Sequence, residues 1–505
     1  MLYPRAFLLL GVSALALASP AAAVKPTAGS LYLRARAAEA LGDERGANAG
    51  FAALLAQMPG NMMIANHAYR QALQGGDMAL AVRAAHALES QKAAPSDARI
   101  LLALEQIKAR DWVKARALTE LLATDRAFGF LAPYFRAWIA VGSNVGDAVP
   151  LAEGGRSLPL ASTYYPEQHA LILVALGRPR ETADSLKPEM VAQLPTRIKG
   201  PEEGLSPLLV HVATDLARQQ YVPVGMLLAR MATYAAPDNG VGGVVLAQLL
   251  QRMQRADLAL AALDHVDPVG PAGEDARALR IALLNDSGKH EQALEEALVA
   301  TRKAGAGIDD WGRTGDLYLV LSKPTEAAQA YSKALAMAES RNAPAELLWP
   351  ILLQQGGALD LAGDWPAARA AYERAYTIAP EQPTVLNQVG YSEIEHQEDP
   401  ARASAMIAKA SSLRPDDPAI TDSLGWVLYR QGKAEQAIPL LEKAAAGDPG
   451  EAAINEHLGD AYWSTGRIYE ARYAWRAALL TAEDKDKARL TAKIDTGLEK
   501  ATAAP

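Results

Sequence analysis

Small and large apolar residues recur along the chain with a long beat. The clearest unit runs Gly425, Leu428, Gly432, Ala437, Leu441, Ala444, Pro449. A step of about 34 residues lands on Gly459, Tyr462, Gly466, Ala471, Trp475 and Ala478, losing only the proline. Earlier copies are Gly356, Leu359, Gly363, Ala368, Tyr372, Ala375, Pro380 and Gly390, Ala403, Ile407, Ala410, Pro415, the latter with an extra turn residue near Glu398-Asp399-Pro400. Gly315, Tyr318, Ala327, Tyr331 and Ala334 make a fifth. Each unit predicts two antiparallel helices. Gly425 and Ala437 fall where the helices cross, and a larger side chain would push the axes apart. Gly432 falls in the turn, where a positive φ costs glycine little. Leu441, Trp475 and Tyr372 fill the groove between hairpins, and Pro415 and Pro449 end the second helix.

Upstream the beat is fainter. Ala35, Gly42, Ala47, Phe51, Leu54 and Pro59 keep the offsets, and Asp111–Leu122, Gly177–Leu186, Ala213–Pro237 and Gly288–Ala300 read as turn-plus-helix pieces. Dividing the length by the unit predicts roughly eleven to twelve hairpins. Pro- and Gly-rich breaks at Val141–Pro159, Leu194–Pro207, Pro237–Gly243 and Asp267–Gly273 read as loops, with Leu194–Pro207 the one candidate hinge. Small residue, large residue, turn, Ala, aromatic, Ala, Pro at this spacing resembles the tetratricopeptide (TPR) family. The resemblance implies an all-α, right-handed superhelical solenoid of stacked hairpins. The expected divisions are a leader over 1–23, degenerate hairpins over 24–200, divergent ones over 201–305, regular repeats over 306–483, and a capping helix and tail over 484–505.

The N-terminus changes the picture of where the chain works. Arg5 precedes an apolar run, Ala6–Ala18, and Ala21-Ala22-Ala23 follows at signal-peptidase spacing. The run is shorter than the roughly 20 residues that span a bilayer, so it predicts a cleaved export signal ending at Ala23. No later apolar run is long enough to cross. The chain has no Cys, which excludes disulfides, thiolate metal sites and an acylated lipoprotein cysteine. A soluble periplasmic protein is expected. The formal net charge of −8, without a basic cluster, leaves no footprint for nucleic acid.

In a solenoid the first helix of each hairpin faces the concave side. Its stripe at i, i+4, i+7, i+8 carries Asp422, Trp426, Tyr429 and Arg430; one repeat on, Glu456, Asp460, Trp463 and Ser464; one repeat back, Asn387, Tyr391, Ile394 and Glu395. Leu424, Val427 and Leu428 point elsewhere and are assigned to the core. Stacked, the stripes form a strip of aromatics edged by carboxylates, suited to a peptide or a partner helix, although the tryptophans could equally pack between helices. Its acidity disfavours a clamp for a C-terminal carboxylate. No phosphate-binding loop, nucleophile elbow or His-Glu-x-x-His occurs, and Gly240-Val241-Gly242-Gly243 reads as a loop. Neither Glu456-His457-Asp460 nor Glu393-Glu395-His396 has the second His a metal site needs. No enzyme activity, metal or cofactor is expected.

Asp422-Ser423-Leu424-Gly425-Trp426-Val427-Leu428-Tyr429-Arg430, then His457 through Trp463 and Ala471-Arg472 through Trp475, resemble a bacterial envelope TPR family. That family includes an outer-membrane lipoprotein that activates a carboxyl-terminal processing protease and delivers cell-wall hydrolases to it. The resemblance implies an adaptor with a protein partner, such a protease among the candidates. The missing acylated Cys departs from the lipoprotein pattern. Other readings are a scaffold for envelope, secretion or polysaccharide assembly, and peptidoglycan or carbohydrate binding by the aromatic strip.

Overall fold

The computed structural model describes residues 26–498 apart from 185, 188–190, 193 and 304. The expected export segment, 1–23, and the tail beyond 498 lie outside the described residues. Among those described, all regular structure is helical. The chain divides into two compact units, 1–279 and 280–505. Each is a stack of helical hairpins, consecutive helices packing on one another.

The second unit holds five regular hairpins: Ile308–Val320 with Pro324–Ser340, Ala345–Leu361 with Trp365–Ile378, Pro383–Glu395 with Pro400–Leu413, Pro418–Arg430 with Ala434–Gly447, and Ala452–Ser464 with Ile468–Thr481. Asp484–Thr496 closes the stack. Prolines open many of these helices, where a missing N–H costs nothing, and Asp364, Asp399 and Asp417 cap them by accepting backbone N–H bonds. The crossing glycines explain the beat. A Cβ on Gly315 would lie 2.6 Å from the Tyr331 ring, on Gly356 2.5 Å from the Tyr372 ring, and on Gly425 2.8 Å from Leu441. Gly390 meets Ile407 at 2.8 Å, one residue further along, which absorbs the extra turn residue. Gly459 lies against Trp475 in the same way. Seven residues after each crossing glycine the chain turns with φ positive: Gly363, Gly432 and Gly466, but also Ser322 and Gln397.

The first unit is less regular. Six of its seven pairs are α-helical: Ala28–Ala40 with Glu44–Gln57, Met62–Gly75 with Met78–Ser90, Ser96–Lys108 with Trp112–Ala123, Ala132–Ser143 with Ala148–Glu153, Pro201–Arg218 with Val222–Ala235, and Gly240–Arg252 with Ala256–Leu263. In the remaining pair, Ala161–Ala175 is followed by a 3-10 turn, Pro179–Asp184, where Gly177–Leu186 predicted a helix. Two expected loops are also helical. Gly240-Val241-Gly242-Gly243 forms the first turn of Gly240–Arg252, its missing side chains making room for Val266 and Ala272. Pro201 opens a helix that continues through Pro207, with Leu205, Leu208 and Leu209 buried beneath it. Its early hairpins also touch its late ones. Lys108 donates to the backbone carbonyls of Tyr234 and Ala235, Arg110 pairs with Glu202 at 2.8 Å, Arg230 donates to the Gln74 carbonyl at 2.8 Å, and Arg255 pairs with Glu44.

Candidate functional site

In the second unit the first helices of three successive hairpins line one groove of about 510 Å³. Asn387, Gln388 and Tyr391 come from the first, Asp417, Asp422 and Ser423 from the second, and Asp448, Glu451, Ile454 and His457 from the third. Its rim carries Asp417, Asp448 and Glu451, and its floor Asp422, with no Lys or Arg in the lining. Asp417 and Glu451 recur at the N-caps of successive first helices, accepting bonds from Ile420 and Ala453 backbone N–H groups. The Asn387 carbonyl Oδ1 is buried and has no hydrogen-bond partner. Burial, with Glu395 and Asp422 nearby, raises the Tyr391 hydroxyl far above its usual range, so it stays a neutral donor.

The structure separates the predicted strip into groove and interior. Asn387 and Tyr391 are half-buried groove residues, and Asp422 reaches its floor. Trp426 is only 1% exposed. Its indole stacks on His457 at 3.9 Å and on Tyr429 at 4.9 Å, and its N–H donates to Glu395 at 2.6 Å. Of the two readings open for Trp426, the structure has the packed one: the face bearing it meets the next hairpin before it reaches solvent. Tyr429 is half-buried, its hydroxyl pushed up to about 12 by burial and by Asp460. Arg430 is exposed and pairs with Glu395 at 3.0 Å. Trp463 lies partly buried against Trp475, ring centroids 5.4 Å apart, beneath Gly497.

Glu456 and Asp460 are buried ion-pair partners and do not edge a surface. Lys493, wholly buried on the closing helix, donates to Glu456 at 2.6 Å and to Asp460 at 2.7 Å; Arg489 also pairs with Glu456. Burial pulls the Lys493 ammonium down to about 8 against the opposing pull of Asp460. His457 bonds Asp422 at 2.9 Å. So the Glu456-His457-Asp460 cluster is divided among separate partners, Trp475 also donating to Asp460 at 2.8 Å. Two hairpins earlier, His396 bonds Asp360 at 2.7 Å and stacks on Trp365 at 3.8 Å, repeating the arrangement. Along the first helices, Asp360, Glu395 and Asp422 thus each meet a base, or an indole N–H group, on the next hairpin.

The tetratricopeptide-repeat family model matches residues 313–383, 396–452 and 423–488. The second unit carries tetratricopeptide repeats. The repeats are similar to part of the TPR repeat-containing protein PA4667 of Pseudomonas aeruginosa, 40% identical over 81 residues, which is 16% of this chain and 14% of that one. Solved structures resemble the chain more loosely. A chain of the Cut9–Hcn1 hetero-tetramer of the APC/C aligns at TM-score 0.37 and 18% identity over 92% of this chain and 89% of its own. A tetratricopeptide repeat protein from Parabacteroides merdae aligns at TM-score 0.42 and 12% identity, over 58% and 99%. YrrB, described as a TPR protein with an unusual peptide-binding site, aligns at 0.27 and 18%, over 40% and 98%. Tetratricopeptide repeats are scaffolds for protein–protein contacts, and among the described residues no helix is long and apolar enough to cross a membrane.

The groove residues that sequence reasoning missed include Gln388, Asp417, Ser423, Asp448, Glu451 and Ile454. Asp417 and Glu451 were readable as N-caps about one repeat apart, a position that the stripe pattern skips.

Proposed function

We propose that the chain is an exported adaptor whose tetratricopeptide repeats hold a cationic, extended segment of a partner protein in the groove across Pro383–Glu395, Pro418–Arg430 and Ala452–Ser464. The observation that carries this reading is the lining itself: four carboxylates, of which Asp422 meets a base, His457, no Lys or Arg, and a buried Asn387 carbonyl awaiting a donor. Backbone N–H or Lys and Arg donors of a bound segment supply what both lack. The leader-like residues 1–23 support export, and the resemblance of Asp422–Trp475 to the envelope adaptors supports a processing protease as the partner served. Exposed rim charges steer encounter and fix register more than they add affinity.

The test is capture of the full mature chain's partners from crosslinked envelope extracts, beside an Asp448→Lys/Glu451→Lys variant. Both residues are exposed, so reversing them leaves the interior intact. Recovery of a processing protease or its clients by the wild type, lost with the variant, supports the adaptor and its groove. The same partners recovered equally by the variant exclude the groove. Recovery of export or polysaccharide-assembly components alone refutes the protease adaptor.

A further inference from the structure

A different site lies in the first unit. The helix Met62–Gly75, the helix Val222–Ala235 and the hairpin Gly240–Leu263 enclose a cavity of about 290 Å³. Its walls are largely apolar, with Met78, Leu246, Leu258 and Val266 among them, but Arg230 reaches into it. Arg230 is 8% exposed as a residue. One Nη donates to the Gln74 carbonyl at 2.8 Å, near the C-terminal end of its helix, where a cation is favourable. That bond uses one of five donors. The Nε is buried and bonds to nothing, and among the described residues no carboxylate lies within ion-pair distance of Arg230. The nearby acid, Glu44, is already held by Arg255 and by Gln71 at 2.6 Å. A further cation, Lys108, sits 4.5 Å over the ring of Tyr234, a wall residue.

Arg230 and Arg255 against Glu44 leave one guanidinium without a carboxylate of its own. Such a group is costly to bury without a partner, and burial lowers the Arg230 guanidinium to about 10. Two glycines let the walls close around the charge. Gly76 turns with φ +83 and leaves room for an Arg230 Nη, which would lie 2.6 Å from a Cβ there. Gly243 lets Val266 pack close to its helix, 2.6 Å from where a Cβ would be. The volume falls at the lower edge of the roughly 300–1,000 Å³ typical of small-molecule sites, so the occupant is of amino-acid size.

We propose that this cavity binds a carboxylate carried on a short, branched apolar body, Arg230 pairing with the carboxylate and Leu246, Leu258 and Val266 covering the body. The ligand is either a free aliphatic acid or the C-terminal residue of a peptide. Both present the same chemistry to the site.

Calorimetric titration of the full mature chain distinguishes them, with four probes: 4-methylpentanoate, its neutral amide, Gly-Gly-Leu with a free C-terminus, and the same peptide amidated. At least one carboxylate is expected to bind about tenfold or more tightly than its amide, as one charged hydrogen bond requires. Binding of the free acid alone assigns the site to a small molecule, and binding of the peptide alone assigns it to a chain end. Arg230→Gln should abolish that preference. Because this change also removes the Gln74 bond, Ala261→Leu serves beside it: Ala261 is an exposed wall residue, and leucine there fills the space while sparing Arg230. Failure of both carboxylates to bind at about 10 mM, equal binding of acid and amide, or undiminished binding by Ala261→Leu overturns the proposal.

Discussion

Gly356 and Gly357 are neighbours in one helix, yet the structure predicts opposite outcomes when each becomes alanine. Both changes gain helix propensity, roughly 0.8–1.0 kcal/mol. A Cβ on Gly357 has only the Tyr372 hydroxyl nearby, at 3.8 Å, which is ordinary contact. A Cβ on Gly356 would lie 2.5, 2.7 and 3.0 Å from three atoms of the Tyr372 ring. That ring is 1% exposed and packed in the core with Leu386 and Ala375, so it cannot swing aside. Forcing a methyl into such a site costs about 1–3 kcal/mol. Gly357→Ala should therefore stabilise the helix Ala345–Leu361 by up to about 1 kcal/mol, while Gly356→Ala changes it by about 0 to 2 kcal/mol in the destabilising direction. Repeat arrays open locally, so a global midpoint blurs the difference. Native-state amide exchange over 345–378 reads it directly. Tyr372→Leu should cost less in the Gly356→Ala background than in the wild type, because the smaller side chain relieves the clash. Gly356→Ala as stable as Gly357→Ala would refute the crossing-point account of the repeat.

Three further outcomes follow from other parts of the molecule. Ser322 occupies with φ +55 the turn position filled elsewhere by Gly363, Gly432 and Gly466, so Ser322→Gly should stabilise by about 1 kcal/mol in urea unfolding, and Ser322→Ala should not. Lys493→Met leaves Glu456 and Asp460 buried with one cation fewer, and should cost about 3–5 kcal/mol, less whatever Arg489 retains; exchange in 452–464 and 484–496 should rise together. The Glu167 carboxylate, 3.1 Å from the His211 ring, raises the His211 pKa above its ordinary value, with Asp215 adding to it. The stabilisation from that pair should be fully present below about pH 6.5 and fade as pH rises through the raised value. Ring-proton titration by NMR should give a lower pKa in Glu167→Gln.

Much of the fold was legible because it rests on local geometry. A small residue opposite a large one about sixteen positions on is a contact within one hairpin, and even the extra residue before Pro400 reappears as the shift from Leu441-type spacing to Ile407. Glycines misled where packing overrode propensity: Gly240 and Gly243 lie in a helix because Val266 needs their missing side chains. The site was harder. Periodicity groups Trp426 with Asp422 and Tyr429 correctly, but it cannot tell a face turned to solvent from one turned to the next hairpin. That distinction depends on His457 and Glu395, which sit one repeat away in either direction. For Glu456 and Asp460 the deciding partner, Lys493, belongs to a helix outside the repeat pattern altogether.

Along the first helices, the pairing of acids with the next hairpin gives the stack a direction. Asp360 looks forward to His396, Glu395 to Arg430, and Asp422 to His457. Each hairpin between them brings an answer for its predecessor and a question for its successor. An in-frame duplication of one hairpin would therefore arrive with both halves of a joint and orphan no charge. Loss of the last helix would strand Glu456 and Asp460 without their lysine. An array joined in this way can lengthen from within by copying itself, yet it must end on the same closing helix.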